Sequence, residues 1–326
     1  MGRVGKQSAS ASADLGFRFG TGAFASCLIV IVCAIGLLLA RDGWLSIQKF
    51  GLSFWASQIW NPVSGEFGAL PFIWGTLYSS FLALLIATPI SIGIAVFIAE
   101  MSPAVLRQPL VFLTELLAAI PSIVYGLWGI FVLVPAVRSI QTSLPEVARL
   151  LPLFSGPPLG LGMLAAALVL AIMVIPFTSS IAREVLKSVP AAQREGAYAL
   201  GATRLEAIRA ALFYARTGIF GGIMLGFGRA LGETMAVTMV IGNNPRVSLS
   251  LFAPQHTMAA VIANEFSEAS DQLYLSALVE IGLVLFTITL IVNSLSRLLI
   301  WSMTRSSRVS VSVETAEPLA AEPAAG

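Results

Sequence analysis

Residues 183–216 read REVLKSVPAAQREGAYALGATRLEAIRAALFYAR, a charged stretch lodged between two strongly apolar runs. It is too long and too amphipathic to serve only as a connection. Pro190 stops the helix arriving from the preceding run, and Glu195-Gly196-Ala197 opens a short helix that runs to Gly201. A further helix follows, with Leu205, Ile208 and Leu212 at three- and four-residue spacing and Arg204, Glu206 and Arg209 elsewhere. The expected shape is a short helix, a glycine break, and a helix leading into apolar sequence. On the residues alone two readings stand: an amphipathic helix lying on lipid, or a surface that docks a partner.

The flanks decide the solvent. Of 326 residues, 57% are apolar and 11% charged, with a mean hydropathy of +0.87, a balance foreign to chains that fold in water. Apolar runs at about 21–40, 74–99, 109–135, 159–181, 217–242 and 273–301 are long enough to cross about 30 Å of hydrocarbon. Backbone groups in lipid find no water, and alternating strand patterns are absent, so the spans are helices. The expected fold is all-α: one polytopic domain over 21–303 with six transmembrane helices and a loop at 183–216. A segment at 1–20 precedes it, and a tail at 304–326 follows, rich in Ala, Val, Pro and Glu from Val309 on and read as disordered. The first run follows Arg3, Lys6 and Arg18 as a signal peptide would, but it exceeds a signal core and lacks a small-residue cleavage site, so it is read as retained.

With the N-terminus inside, thirteen of the nineteen Lys and Arg residues fall on the inner side, five on the outer side, and Arg229 within the fifth run. That asymmetry predicts both termini in the cytoplasm. The net charge of +2, spread along the chain, implies no nucleic-acid partner. Cys27 and Cys33 point to different faces of the first helix and do not pair. His256, the single histidine, has no neighbours to complete a metal site and reads as loop decoration, so no metal or cofactor is expected. The outer stretch Asn243–Gln272 is too short and polar to span and suits a lid or short helix.

Glu195-Gly196-Ala197 with Gly201 resembles the E-A-A-x3-G signature of ABC importer permeases, with Gly196 in place of the usual Ala and no later Leu-Pro, since Phe213-Tyr214 stand there. In that family the loop docks into a groove of the ATPase, which assigns coupling to Glu195, Gly196, Ala197 and Gly201, with Arg204 beside them. TELLAAIPSIVYGLWG (114–129), VIPFTSSIAREVLKSVP (174–190) and GRALGETMAV (228–237) resemble segments of phosphate-specific transport permeases. The resemblance implies a type I importer permease of a bacterial inner membrane. It would work with a second homologous permease, two ATP-binding subunits and a periplasmic phosphate-binding protein.

GRALGETMAV also reads on physics. Counted from Thr217, Arg229 lies roughly 18 Å into the core, and Glu233 stands one turn further on the same helical face. A charged guanidinium there needs a polar cavity or a partner, so it marks either a substrate path or an i,i+4 ion pair with Glu233. Glu280 in the sixth run counts to a similar depth and is an alternative partner; Glu115 sits nearer the inner face. Pro89, Pro121 and Pro176 each stand next to Ser91, Ser122 or Thr178, where a kink either bends the helix or lines a polar path, and Ser122 and Thr178 are kept as path candidates. The fifth run's glycines favour close helix approach. No G-x4-G-K-S/T run and no Ser-His-Asp set is present, so the chain itself is not expected to hydrolyse ATP. The alternatives are a permease for another oxyanion, phosphonate or molybdate, and a self-sufficient anion channel or secondary transporter.

Overall fold

The computed structural model describes residues 4–145, 147 and 151–306, with side chains within 17–302. Most of the expected tail therefore lies outside the described residues. In chain order the helices are α1 (Val4–Asp42), α2 (Trp44–Phe50), α3 (Ser53–Ala56), α4 (Leu70–Val96, prolonged by a π-turn Phe97–Met101), α5 (Ala104–Ala119) and α6 (Ser122–Trp128). A π-turn Gly129–Leu133 leads to α7 (Val134–Ser143), then α8 (Met163–Lys187), α9 (Ala191–Ala199), α10 (Arg204–Leu231), α11 (Met235–Val240), α12 (Met258–Glu265) and α13 (Gln272–Ser306). Among the described residues there is no strand, only an isolated bridge between Asn61 and Glu66. Six runs are long and apolar enough to cross a bilayer: Phe17–Asp42, Leu70–Met101, Ser122–Ser143, Met163–Lys187, Arg204–Leu231 and Gln272–Ser302. The chain is a multi-pass membrane protein with an all-α fold.

α8 is the axle of the bundle. Its alanines Ala165, Ala166, Ala167 and Ala171 are buried, and small side chains let neighbouring backbones close on it. Ser91 of α4 donates to the Ile175 carbonyl at 3.3 Å, a bond next to Pro176 that ties the two helices. α10 crosses α8 on glycines: a Cβ on Gly226 would stand 2.6 Å from Thr178 Oγ1, and one on Gly218 2.6 Å from Val185. At the other extreme α1 leaves its apolar window unburied by the rest of the chain and touches mainly α13.

Two expected spans are interrupted. The run 109–135 does not form one helix: Ile120 takes ψ 129° and Pro121 ψ 141°, so α5 ends at Ala119 and α6 starts afresh at Ser122. Proline forces the residue before it out of the helical region and has no N–H to continue the ladder. The crossing is made by 122–143, while α5 buries none of its residues within the chain. The run 217–242 breaks in turn at Gly232–Thr234, between α10 and α11.

Beyond α11 the chain threads back into the bundle. The amides of Gly162 and Leu164, at the start of α8, donate to Val240 O at 3.0 Å and Leu251 O at 2.7 Å, satisfying donors that a helix start leaves open. Trp74 Nε1 donates to Ser248 O and the Tyr78 hydroxyl to Leu249 O, both at 2.9 Å. His256 is no loop decoration: it is 2% exposed, its ring meets Phe72 edge-on at 5.3 Å, and its Nδ1 accepts from the Thr257 amide. Gly75 makes this possible, because a Cβ there would sit 2.0 Å from the His256 carbonyl oxygen. Burial pushes the imidazole down to about 4.

Candidate functional site

Two places concentrate chemistry: the exposed segment 191–203 at one end of the bundle, and the helix break at 232–234 in its middle. The segment folds as the sequence suggests. α9 follows Pro190, Gly201 takes φ +82°, and α10 starts with a capping box in which the Thr203 amide donates to Glu206 Oε2 at 2.7 Å. Glu195, Gly196 and Gly201 are exposed, and nothing lies within 4 Å of a Cβ built on either glycine. Tyr198 and Leu200 are 50% and 91% exposed, an apolar pair turned outward.

What holds the segment in place was not legible in the sequence. Arg194 forms a two-pronged pair with Glu100 of the α4 π-turn, Nη2 to Oε1 at 2.6 Å, and also donates to the Val189 and Leu186 carbonyls at the end of α8. Arg204 donates to the Glu100 carbonyl at 2.6 Å, so this expected coupling residue grips its own bundle. Nearby, the buried Arg183 pairs with Glu184 at 2.9 Å and reaches Glu115 of α5 at 3.6 Å.

At the break, Arg229 and Glu233 do not form the i,i+4 pair that is one of the two readings of the sequence. α10 ends at Leu231 and Gly232 caps it, so Glu233 leaves the helical face that four-residue spacing assumed. Its Oε1 instead accepts from the Ala236 amide at 3.4 Å, at the start of α11. Each charge stands at the helix end whose dipole favours it, the cation in the last turn of α10 and the anion before the first turn of α11. Arg229 is exposed in the isolated chain, its guanidinium 5.9 Å from the Phe177 ring centroid, within reach of a cation–π contact. Among the described residues no carboxylate lies within ion-pair distance of it.

Depth follows from helix register. Gly221 meets Ile300 and Gly228 meets Asn293, so α10 and α13 run antiparallel and Arg229 is level with residue 292. Residue 292 lies ten residues from Ser302 and twenty from Gln272, the ends of a run longer than the roughly 30 Å core, so Arg229 falls within the membrane-crossing stretch. Glu280 lies twelve residues, about 18 Å, further along α13 and is no partner for Arg229. It is buried against Gly43, with Oε2 lacking a hydrogen-bond partner. Thr178 is 1% exposed and faces Gly226, so in this chain it lines a helix contact and no open path. Ser122 is half-buried in the first turn of α6.

Residues 91–305 match the family described as binding-protein-dependent transport system inner membrane component. The chain is 51% identical over 293 residues to the phosphate transport system permease protein PstC of Pasteurella multocida, covering 88% of this chain and 91% of that one. It is 47% identical over 290 residues to the protein of the same name from Mesorhizobium japonicum, covering 87% and 89%. A probable phosphate transport system permease protein PstC from Methanocaldococcus jannaschii is 42% identical over 255 residues, 76% of this chain and 81% of that one.

Proposed function

The chain belongs to the family of binding-protein-dependent transport system inner membrane components and, within it, to the PstC permeases, and from that premise we propose that it carries inorganic phosphate across the cytoplasmic membrane as the permease subunit of an ATP-driven importer. The observation that carries the substrate is the 47–51% identity to phosphate permeases over nearly nine-tenths of the chain. The chemistry agrees with it. Arg229 stands within the membrane-crossing stretch beside a broken helix, and irregular backbone inside a membrane is tolerated where it lines a cavity or is buried in protein. A planar guanidinium donates two parallel hydrogen bonds to an oxyanion and keeps its proton at any relevant pH. Glu233, a few residues on, opposes tight retention, which suits a conduit that must release what it admits.

In this reading α9 and Gly201 dock on an ATP-hydrolysing subunit, present in two copies, through the outward pair Tyr198 and Leu200 and the Glu195 carboxylate. The α10 face bearing Arg229 meets a second, homologous permease. The 243–272 side meets a periplasmic phosphate-binding protein, and both termini are cytoplasmic. The chain opens the path and the partner spends the ATP. The test is reconstitution of the chain with these partners in liposomes, followed by ATP-driven uptake of labelled phosphate against phosphate, phosphonate and molybdate competitors. Competition by phosphate alone is expected; stronger competition by either other oxyanion overturns the substrate, and uptake by the chain without an ATPase overturns the importer.

A further inference from the structure

Pro121 leaves a carbonyl without its usual donor. In an unbroken helix the amide of residue 121 would donate to the Leu117 carbonyl, and proline has no N–H. The Tyr125 hydroxyl donates there instead, at 2.8 Å, reaching from α6 back to the last turn of α5, while the Ile120 amide meets the same oxygen only at 3.4 Å. Tyr125 is buried, and the helix behind it is closely held: a Cβ on Gly126 would stand 3.1 Å from the Ala236 Cα of α11. Arg229 lies within electrostatic reach of the Tyr125 hydroxyl. The bond therefore joins α5 to the helices that border Arg229.

The other end of α5 leads to the coupling segment. Ser102 and Pro103 are extended, at ψ 132° and 150°, and join α5 to the π-turn whose Glu100 is held by Arg194 and Arg204. Between the two breaks α5 runs sixteen residues, about 24 Å. It packs on α8, where Glu115 comes 3.6 Å from Arg183, yet it buries none of its residues within the chain. Extended residues at both ends let such a helix tilt as a rigid unit, in a direction set by its end contacts.

We propose that Tyr125 is a positioning residue for transport: its hydroxyl latches α5 to α6, so that α5 is the rod that carries movement of the Glu100–Arg194 block to the helix ends around Arg229. The proposal rests on the importer reading for what moves the block, and the latch acts without touching the solute.

The complex assembled with its permease and ATPase partners is compared with its Tyr125→Phe variant, which loses the hydroxyl and keeps the ring. Removing one hydrogen bond weakens the latch roughly fivefold, the equivalent of about 1 kcal/mol, so phosphate carried per ATP hydrolysed should fall by up to that factor while assembly and ATP hydrolysis persist. A contact that only held the fold would lower the unfolding temperature and leave that ratio unchanged. In a chain with Cys27→Ser and Cys33→Ser, spin labels are placed on Phe112→Cys of α5 and Phe131→Cys beyond α6, both exposed. Their separation should stay the same in the nucleotide-free and ATP-bound states, while Phe112→Cys moves against a label on the exposed Leu298→Cys of α13. In Tyr125→Phe the first separation should broaden. An unchanged ratio of phosphate to ATP, a Phe112–Phe131 separation that shifts with nucleotide in the parent or does not broaden in Tyr125→Phe, or a Tyr125→Phe chain that fails to assemble overturns the latch. Absence of ATP-driven phosphate uptake by the parent overturns the importer reading instead, and the broadening in Tyr125→Phe tests the latch without it.

Discussion

The guanidinium of Arg194 grips the carboxylate of Glu100 across ninety-four positions of chain, with Nη2 2.6 Å from Oε1 and Nε 3.2 Å from each oxygen. The pair is mostly shielded, its side chains 24% and 13% exposed, and Arg194 also holds two carbonyls at the end of α8. The π-turn after α4, the end of α8 and α9 therefore move as one block. Glu100→Gln removes the charge pair but leaves the carbonyl contacts; Arg194→Ala removes all of them. The first should cost roughly 1 to 2 kcal/mol, between an exposed and a fully buried pair, and the second more. Thermal unfolding gives the order, and ATP-driven uptake should fall in the same order as α9 loosens.

In α9 and the turn that follows it, three substitutions separate docking from folding. Glu195→Lys reverses an exposed charge and should uncouple ATP hydrolysis from uptake with no change in unfolding temperature, because a rim charge reports on the contact it makes. Gly201→Val forces a β-branched residue to φ +82°, at a cost of about 1 to 2 kcal/mol, and should also uncouple. Gly196→Ala, in a helix with open space around the position, should stabilise by about 0.5 to 1 kcal/mol and leave uptake intact. Full coupled uptake in both of the first two variants means that α9 docks nothing.

Orientation is checked from outside the cell. Ser188, at the end of α8, and Ser270, before α13, are exposed and lie at opposite ends of the bundle. A cysteine at Ser188 should react with an impermeant thiol reagent only from the cytoplasmic side, and one at Ser270 only from the periplasm. Labelling in the reverse sense would invert the topology read from the basic residues.

His256 makes stability depend on pH. Its folded value of about 4 lies below the ordinary 6.5, so the unfolded chain binds the proton more readily. The stabilisation is whole above about pH 6.5 and is lost as pH falls through about 4, amounting to about 3 kcal/mol. His256→Asn offers an acceptor in place of Nδ1 and does not titrate. Unfolding midpoints compared at about pH 7.5 and about pH 4.5 should show a smaller drop in that variant than in the parent.

What the sequence concealed has a common cause. Apolar length marks the membrane runs well, because every span must hide its backbone from lipid, and the short helix, Gly201 turn and following helix were equally readable from local spacing. Hydropathy is blind to a helix that stops inside an apolar run, however. The residues flanking Pro121 are as apolar as a continuous span would be, so the break between α5 and α6 does not show in it. Gly232 stood among glycines suited to close packing, yet it ends α10, and that alone turns Glu233 away from Arg229. Contacts between distant segments leave no local trace. Glu100 with Arg194, and the seat that Gly75 makes for His256, exist only once α4 has closed on its neighbours.

The separation of Arg229 from Glu233 changes what their substitution should do. Had the two formed an ion pair, Arg229→Gln would leave a buried, unpaired carboxylate, and adding Glu233→Gln would restore both assembly and uptake. In the structure Glu233 caps α11 through the Ala236 amide, and Arg229 is exposed over Phe177 with no carboxylate within ion-pair distance among the described residues. Arg229→Gln should therefore leave assembly with the partner subunits unchanged and abolish phosphate uptake, because the amide keeps donors but loses the charge that an anion needs at that depth. Glu233→Gln alone should cost about 0.5 to 1 kcal/mol in stability, the loss of a charged cap. The double variant should assemble, show that same small cost, and still carry no phosphate. Uptake by the double variant near the parent's rate would remove Arg229 from the phosphate path. Arg229→Lys refines the point: a point charge retains attraction but not the two-pronged grip, so partial uptake with weakened discrimination among oxyanions is expected, measured by the same competition in liposomes.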